Sequence, residues 1–326
     1  MIVSKTPIRL TLFGGGTDYP IFFKKYGGET LGFAINRYSY LTIKENNLQN
    51  KYKYFLSYKN IEKKNEIKKI SHPSIRETLK FMNIKEGIEI HYTGDIPAKT
   101  GLGSSSSFTV GLLKCLYAHK KKKISNLDIA KKAIFIEQKM IKENVGCQDQ
   151  LTTSIGGILN VKYFKSHFVV NKLNLDKTNL LEFENSIILF FTGIERYASR
   201  SLNEQLSNIA KGYNIPQLLK MKEQAKLATK MFKKKINIRL LGEMLNENWN
   251  LKKELSNNVT NKIINQIYDD AIACGAYGGK LVGAGAGGFL MFVCKNNIKS
   301  ILKKKFYKLK NLEIKVDHLG SNLILK

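Results

Sequence analysis

Ile8, Leu10 and Leu12 alternate with Arg9 and Thr11, and this two-residue period predicts a strand over residues 2–12 that stops at the glycines 14–16. Apolar positions of the same kind predict strands over 32–44, 52–58 and 87–93. Between them the charged stretch 60–69 reads as a loop or a frayed hairpin, and 74–82 as a short helix. Ser125, with Asp128 three residues on, opens a long helix whose apolar stripe runs Ala130, Ala133, Ile134, Ile141. That helix is expected to end at 144–146, and a new one to begin at 147–150. Strands follow at 157–163 and 168–173. The apolar run 186–191 reads as a buried strand that opens a second domain, dividing the chain into 1–183 and 184–326. Helices at 217–232, 239–255 and 261–274 follow, then a glycine turn at 275–279. A strand at 289–293, a helix at 298–306 and a strand at 312–316 complete the pattern.

Three glycine-rich segments stand outside this periodicity: 13–18, 101–107 and 283–288. The second is the most informative. It is entered through Pro97, Ala98, Lys99 and Thr100, reads Gly101-Leu102-Gly103-Ser104-Ser105-Ser106-Ser107, and runs straight into the apolar segment 108–117. Glycines allow a tight turn that exposes backbone N–H groups, and a following helix adds its unpaired donors and positive dipole end. That arrangement binds phosphate. Four successive hydroxyls suit a ligand rich in acceptor oxygens together with a metal ion. The Walker pattern is excluded, because Gly103 is followed by Ser104 and the nearby lysine, Lys99, precedes the loop. Residues 283–288 fit the dinucleotide string G-x-G-x-x-G, but they lead into the strand-like 289–293, with too little chain left for the βαβ unit such a site requires.

Composition adds three constraints. The 326 residues are 43% hydrophobic, enough for a real core and two domains, with no apolar run long enough to span a membrane and no signal-peptide pattern at the N-terminus. Cys115, Cys147, Cys274 and Cys294 are widely spaced, which fits reduced thiols in a cytoplasmic protein better than a zinc site or a disulfide framework. The formal net charge is +28, but the lysines are dispersed in short runs rather than gathered in one stripe, which argues against nucleic acid as the partner. Such a field raises the encounter rate of anionic small molecules without selecting among them.

Two carboxylates and a pair of arginines remain. Glu137 falls within the apolar stripe of its helix, so it needs a partner: either an internal ion pair or a divalent cation. Asp149 stands twelve residues later at a helix start that can face the same cavity. Only six arginines occur, and two of them, Arg196 and Arg200, are spaced i, i+4 so that a helix would present both on one face. They read either as ordinary surface polar residues or as planar forks for a phosphate.

Three segments in this order resemble the GHMP small-molecule kinases. The first is Pro7-Ile8-Arg9-Leu10-Thr11-Leu12-Phe13-Gly14-Gly15-Gly16-Thr17-Asp18-Tyr19-Pro20. The second is the Ser-rich loop from Pro97, and the third runs from Lys280 through Gly288. Galactokinases carry Gly-Glu-His-Thr-Asp-Tyr in the first motif, where this chain has Gly14-Gly15-Gly16-Thr17-Asp18-Tyr19. That difference is similar to the subgroup acting on D-glycero-D-manno-heptose 7-phosphate at C1, and to the kinase parts of fucose-phosphorylating enzymes.

The resemblance implies an α+β fold, with an N-terminal domain like the second domain of ribosomal protein S5 and a ferredoxin-like C-terminal domain. It implies an ATP- and Mg²⁺-dependent sugar 1-kinase serving nucleotide-activated heptose for surface polysaccharide. Pro97, Lys99 and Gly101 to Ser107 would hold ATP, with Ser105 and Glu137 on the metal. Asp149 would be the base and Arg9 would lie near the transferring phosphoryl group. Gly15, Gly16, Thr17 and Asp18 would hold sugar hydroxyls, and Arg196 and Arg200 would grip a distal phosphate. Residues 283–288 would support the Ser-rich loop or touch nucleotide. A kinase of fucose or galactose type, a non-catalytic sugar sensor on the same fold, and a homodimer all remain compatible with these residues.

Overall fold

The alternation around Arg9 becomes a strand buried along most of its length. In the computed structural model, which describes residues 1–46, 51–97, 100–194 and 198–326 (the side chains of 198–200 excepted), the strand spans Ile2–Phe13. It pairs antiparallel with the long strand Gly28–Glu45, setting Arg9 opposite Ala34. Register shifts between Pro7 and Ile8 and between Thr11 and Phe13 bend the pair. The sheet continues from Gly28–Glu45 to Ile88–Gly94, Tyr54–Ser57 and Ile61–Lys64, and on another path to Ile158–Tyr163 and Phe168–Leu173. The charged stretch 60–69 therefore holds a real strand, Ile61–Lys64, which hairpins onto Tyr54–Ser57.

A second sheet has the order Asn311–Leu312, Ile187–Phe191, Phe289–Val293, Gly278–Leu281, every pair antiparallel. This is the ferredoxin-like βαββαβ arrangement, with its first crossover enlarged to the helices Ala198–Ala210, Ile215–Phe232, Ile238–Lys253 and Lys262–Ala273. The glycine turn expected at 275–279 contains the start of an edge strand. Gly278 and Gly279 are required there by packing: a Cβ would stand 1.9 Å from the Gly242 carbonyl oxygen and 2.2 Å from that of Met291.

The chain end returns to the first sheet. Asn322–Leu325 pairs with Ile2–Phe13, and Val316 bridges to Ile35, so the strand expected at 312–316 is cut to Asn311–Leu312 and its remainder crosses between layers. One apolar core runs through both layers, joining Ile8, Leu10 and Leu12 to Leu189, Met291 and Leu245. That shared core fixes the two walls of the cavity described below.

The helix opened by Ser125 is capped as expected, with Ser125 Oγ accepting from the Asp128 N–H. It runs Asn126–Phe135 and then continues as a π-helical turn, Ile136–Met140, which carries Glu137. All four cysteines are free. Among the described residues no helix is long and apolar enough to cross a membrane.

Candidate active site

Arg9 lies on the buried strand Ile2–Phe13, beside the Ser-rich loop. Its backbone N–H donates to the Leu102 carbonyl (3.0 Å) and one guanidinium nitrogen donates to the Gly101 carbonyl. The other two nitrogens form a fork on Asp149, Nε to Oδ1 at 2.7 Å and Nη2 to Oδ2 at 2.5 Å. Arg9 is almost buried, while a quarter of the Asp149 side chain remains exposed to the cavity. A bidentate pair of this kind fixes a carboxylate in both position and rotation. It leaves the outer lone pairs of Asp149 free to meet a proton.

The Ser-rich loop turns through Gly101 (φ +87°) and Gly103 (φ +76°), the latter at the N-cap of the helix Ser104–His119. A Cβ on Gly101 would lie 2.6 Å from the Val282 carbonyl, so the loop and the segment entering 283–288 touch backbone to backbone. The hydroxyls divide by helical phase. Ser104 and Ser105 line the cavity. Ser107 turns away and donates to the Thr6 carbonyl (3.1 Å). Ser106 lines the cavity and donates to Oε2 of Glu137 (3.0 Å). The hydroxyl bonded to Glu137 is that of Ser106, while Ser105, the expected metal-side hydroxyl, stands on the cavity wall. The Leu102 side chain is fully buried in the core, so only its backbone meets the site. Pro97 is not on the cavity wall; its carbonyl accepts from the Thr100 hydroxyl. Lys99 lies outside the described residues.

Glu137 is fully buried. Gln150 donates to its Oε2 along with Ser106, while Oε1 has no hydrogen-bond partner among the described residues. Burial pushes its carboxyl up to about 7, against the opposing hydrogen bonds of Gln150 and Ser106. An orphaned buried carboxylate oxygen beside a hydroxyl fits a hard divalent cation. No group of three or more His, Cys, Asp or Glu gathers among the described residues, so a cation here would draw its other ligands from phosphate oxygens and water.

The cavity has a volume of about 750 Å³. Gly15, Gly16 and Asp18 line one side of it, next to Asp149 and Gln148. Two expectations for that side change. The Thr17 hydroxyl is fully buried, donating to the Gly14 (2.7 Å) and Glu29 (2.9 Å) carbonyls, so it closes the glycine turn instead of facing a ligand. Asp18 is 1% exposed, and its two oxygens accept four N–H groups from Gly16, Cys147 and Gln148. Burial and the nearby Asp149 charge lift its carboxyl to about 6.

Sequence reasoning missed two walls. Lys280, entirely buried, donates to the Leu12 carbonyl and to Oδ1 of Asn248, both at 2.8 Å, and burial together with Arg9 lowers its ammonium to about 7. It reaches the cavity from the edge strand Gly278–Leu281, with its ammonium on the carbonyl of Leu12 in the strand that carries Arg9. At the far end Tyr58, His72, Phe108 and Tyr92 form a chain of rings, with His72 stacked on Phe108 at 4.8 Å. Their sequence separation hides the cluster. Arg196 lies outside the described residues, as does the side chain of Arg200, whose backbone belongs to the helix Ala198–Ala210.

Comparison with known proteins accounts for both halves of the chain. The GHMP kinases N terminal domain matches residues 65–157, and the GHMP kinases C terminal family matches residues 225–308. D-glycero-alpha-D-manno-heptose 7-phosphate kinase of Campylobacter jejuni is 29% identical, covering 94% of this chain and 94% of its own. Mevalonate kinase of Methanocaldococcus jannaschii is 28% identical, covering 93% of this chain and 95% of its own. The fold matches the crystal structure of a D-glycero-D-manno-heptose 1-phosphate kinase from Bacteroides thetaiotaomicron with a TM-score of 0.81 at 23% identity, over 99% of this chain and 98% of that one. Both halves of one family are thus present in order, and the chain belongs to the GHMP kinases, phosphotransferases that act on an alcohol group.

Proposed function

We propose that this protein transfers the γ-phosphoryl group of ATP to the C1 hydroxyl of D-glycero-D-manno-heptose 7-phosphate, giving the 1,7-bisphosphate from which nucleotide-activated heptose for surface polysaccharide is made. The observation that carries the reading is the fork of Arg9 on Asp149 at the edge of a glycine-and-serine phosphate loop, all within one cavity. The choice of sugar is supported by the heptose 7-phosphate kinase relative and by the Gly14-Gly15-Gly16-Thr17-Asp18 turn.

In this reading Asp149 accepts the proton of the sugar hydroxyl as its oxygen attacks the γ-phosphorus; the bond from that phosphorus to the β,γ-bridging oxygen breaks and ADP leaves. The N–H groups of the loop and of the helix start at Ser104 cradle the phosphates. Glu137, with the Ser106 hydroxyl bonded to it, and Ser105 on the cavity wall would hold Mg²⁺, which would supply charge neutralisation on the phosphates. Lys280 adds a buried amine beside Arg9 that carries its proton below about pH 7. Gly15 and Gly16 border the sugar, and Arg196 and Arg200 are the candidates for the 7-phosphate.

The test is an ADP-release screen over neutral sugars and sugar phosphates, with the product's new phosphate located by phosphorus NMR. Heptose 7-phosphate as the best substrate, with the new phosphate at C1, is expected. A preference for a neutral hexose refutes the substrate assignment.

A further inference from the structure

The helix Gln148–Ile155, which carries Asp149 in its first turn, has no cap of its own: the side chain of its N-cap residue, Cys147, makes no capping hydrogen bond. A helix start leaves backbone N–H groups that need acceptors. Here the acceptor arrives from 129 and 130 positions earlier in the chain, where Oδ2 of Asp18 takes the N–H groups of Cys147 (3.0 Å) and Gln148 (3.2 Å). Oδ1 takes the Gly16 N–H (3.2 Å) and the Gln148 side-chain amide (3.4 Å), and that amide's oxygen accepts from the Thr11 hydroxyl (2.9 Å). The approach is possible because residue 146 is glycine. A Cβ there would lie 1.8 Å from Oδ2, and no positive φ otherwise demands glycine at this position.

We propose that Asp18 is a positioning residue, clamping the first turn of the Gln148–Ile155 helix to the glycine turn 14–16 and so fixing where the Asp149 carboxylate stands. The clamp rests on the kinase reading for its catalytic consequence, though not for its existence. An ionised carboxylate offers about four lone-pair sites, and the four N–H groups fill them. A sugar hydroxyl would have to displace one. Arg9 holds Asp149 from one side and Asp18 holds its helix from the other, so the base is located by the strand Ile2–Phe13 and the turn that follows it.

Two variants separate this role from direct sugar binding. Asp18→Asn keeps the volume but replaces one acceptor oxygen by a donor. Gly146→Ala touches no ligand and forces the carboxylate off its amides. Both are expected to lower kcat by about 10- to 100-fold, as for a base moved by an ångström, with KM for sugar and for ATP within about threefold of wild type. Amide hydrogen exchange of the free protein gives an independent readout: Cys147 and Gln148 should be protected in wild type and exchange faster in Asp18→Asn. A rise of tenfold or more in sugar KM at unchanged kcat in Asp18→Asn would overturn the proposal in favour of a sugar ligand. So would unprotected Cys147 and Gln148 amides in wild type, a measurement that stands even if Gly146→Ala fails to fold. Absence of turnover by wild type on every sugar would sink the kinase reading, while the exchange data would still decide the clamp.

Discussion

Glu137→Gln tests the buried carboxylate through stability as well as catalysis. Lifting its carboxyl from 4.5 to about 7 corresponds to roughly 3 kcal/mol in favour of the protonated form in the fold. The sign follows from proton counting. Between pH 4.5 and about 7 the folded protein keeps a proton that the unfolded chain has released, so stability falls as pH rises through that window. Below it the contribution is fully present. Glutamine does not titrate, but its Nε2 would occupy the place of the orphaned Oε1 and lack an acceptor, costing about 1–3 kcal/mol at every pH. The metal-free variant should therefore be less stable than wild type at pH 5, with the difference shifting by about 3 kcal/mol in the variant's favour by pH 8. Urea unfolding at the two pH values reads this directly, and Mg²⁺ with a nucleotide at pH 8 should stabilise wild type only. A wild-type-minus-variant difference that does not change with pH would refute the reasoning.

Two further substitutions probe the walls of the cavity. Gly101→Ala puts a Cβ 2.6 Å from the Val282 carbonyl at φ +87°, so a loss of about 1–3 kcal/mol and a rise of at least about tenfold in KM for ATP are expected; unchanged melting and KM would mean the two glycine segments are not in register. Lys280→Met removes a buried base held down at about 7, whose folded state carries fewer protons than the unfolded chain between pH 7 and 10.5. Wild-type stability should consequently rise with pH across that window relative to the variant, and parallel pH curves by thermal unfolding would contradict it.

Local chemistry made part of this site legible. The loop 101–107 announces itself because turn-forming glycine, helix start and hydroxyls are neighbours in sequence. Glu137 shows as a carboxylate on an apolar stripe, but its partners Ser106 and Gln150 depend on helical phase and on a π-helical turn that composition does not reveal. Thr17 and Asp18 belong to a motif whose residue types suggest ligand contacts, but the turn they sit in sets them against backbone groups of Gly14, Glu29 and the helix start at Cys147. Lys280 and the His72–Phe108 stack could not be foreseen, because each is made by elements far apart in the chain. At the level of fold, the long periodic strands and helices were readable. The short edge strands Ile61–Lys64, Gly278–Leu281 and Asn322–Leu325 were not, since pairing partners rather than composition define them.

The central claim is that Asp149, oriented by Arg9, is the base for phosphoryl transfer to a sugar hydroxyl. Asp149→Asn leaves an acceptor for the Arg9 fork but no carboxylate to take the proton. Single-turnover ADP formation with heptose 7-phosphate and ATP·Mg²⁺ should fall by about 10²- to 10⁴-fold in this variant, with ATP affinity retained. Turnover by Asp149→Asn within a few-fold of wild type would contradict the assignment.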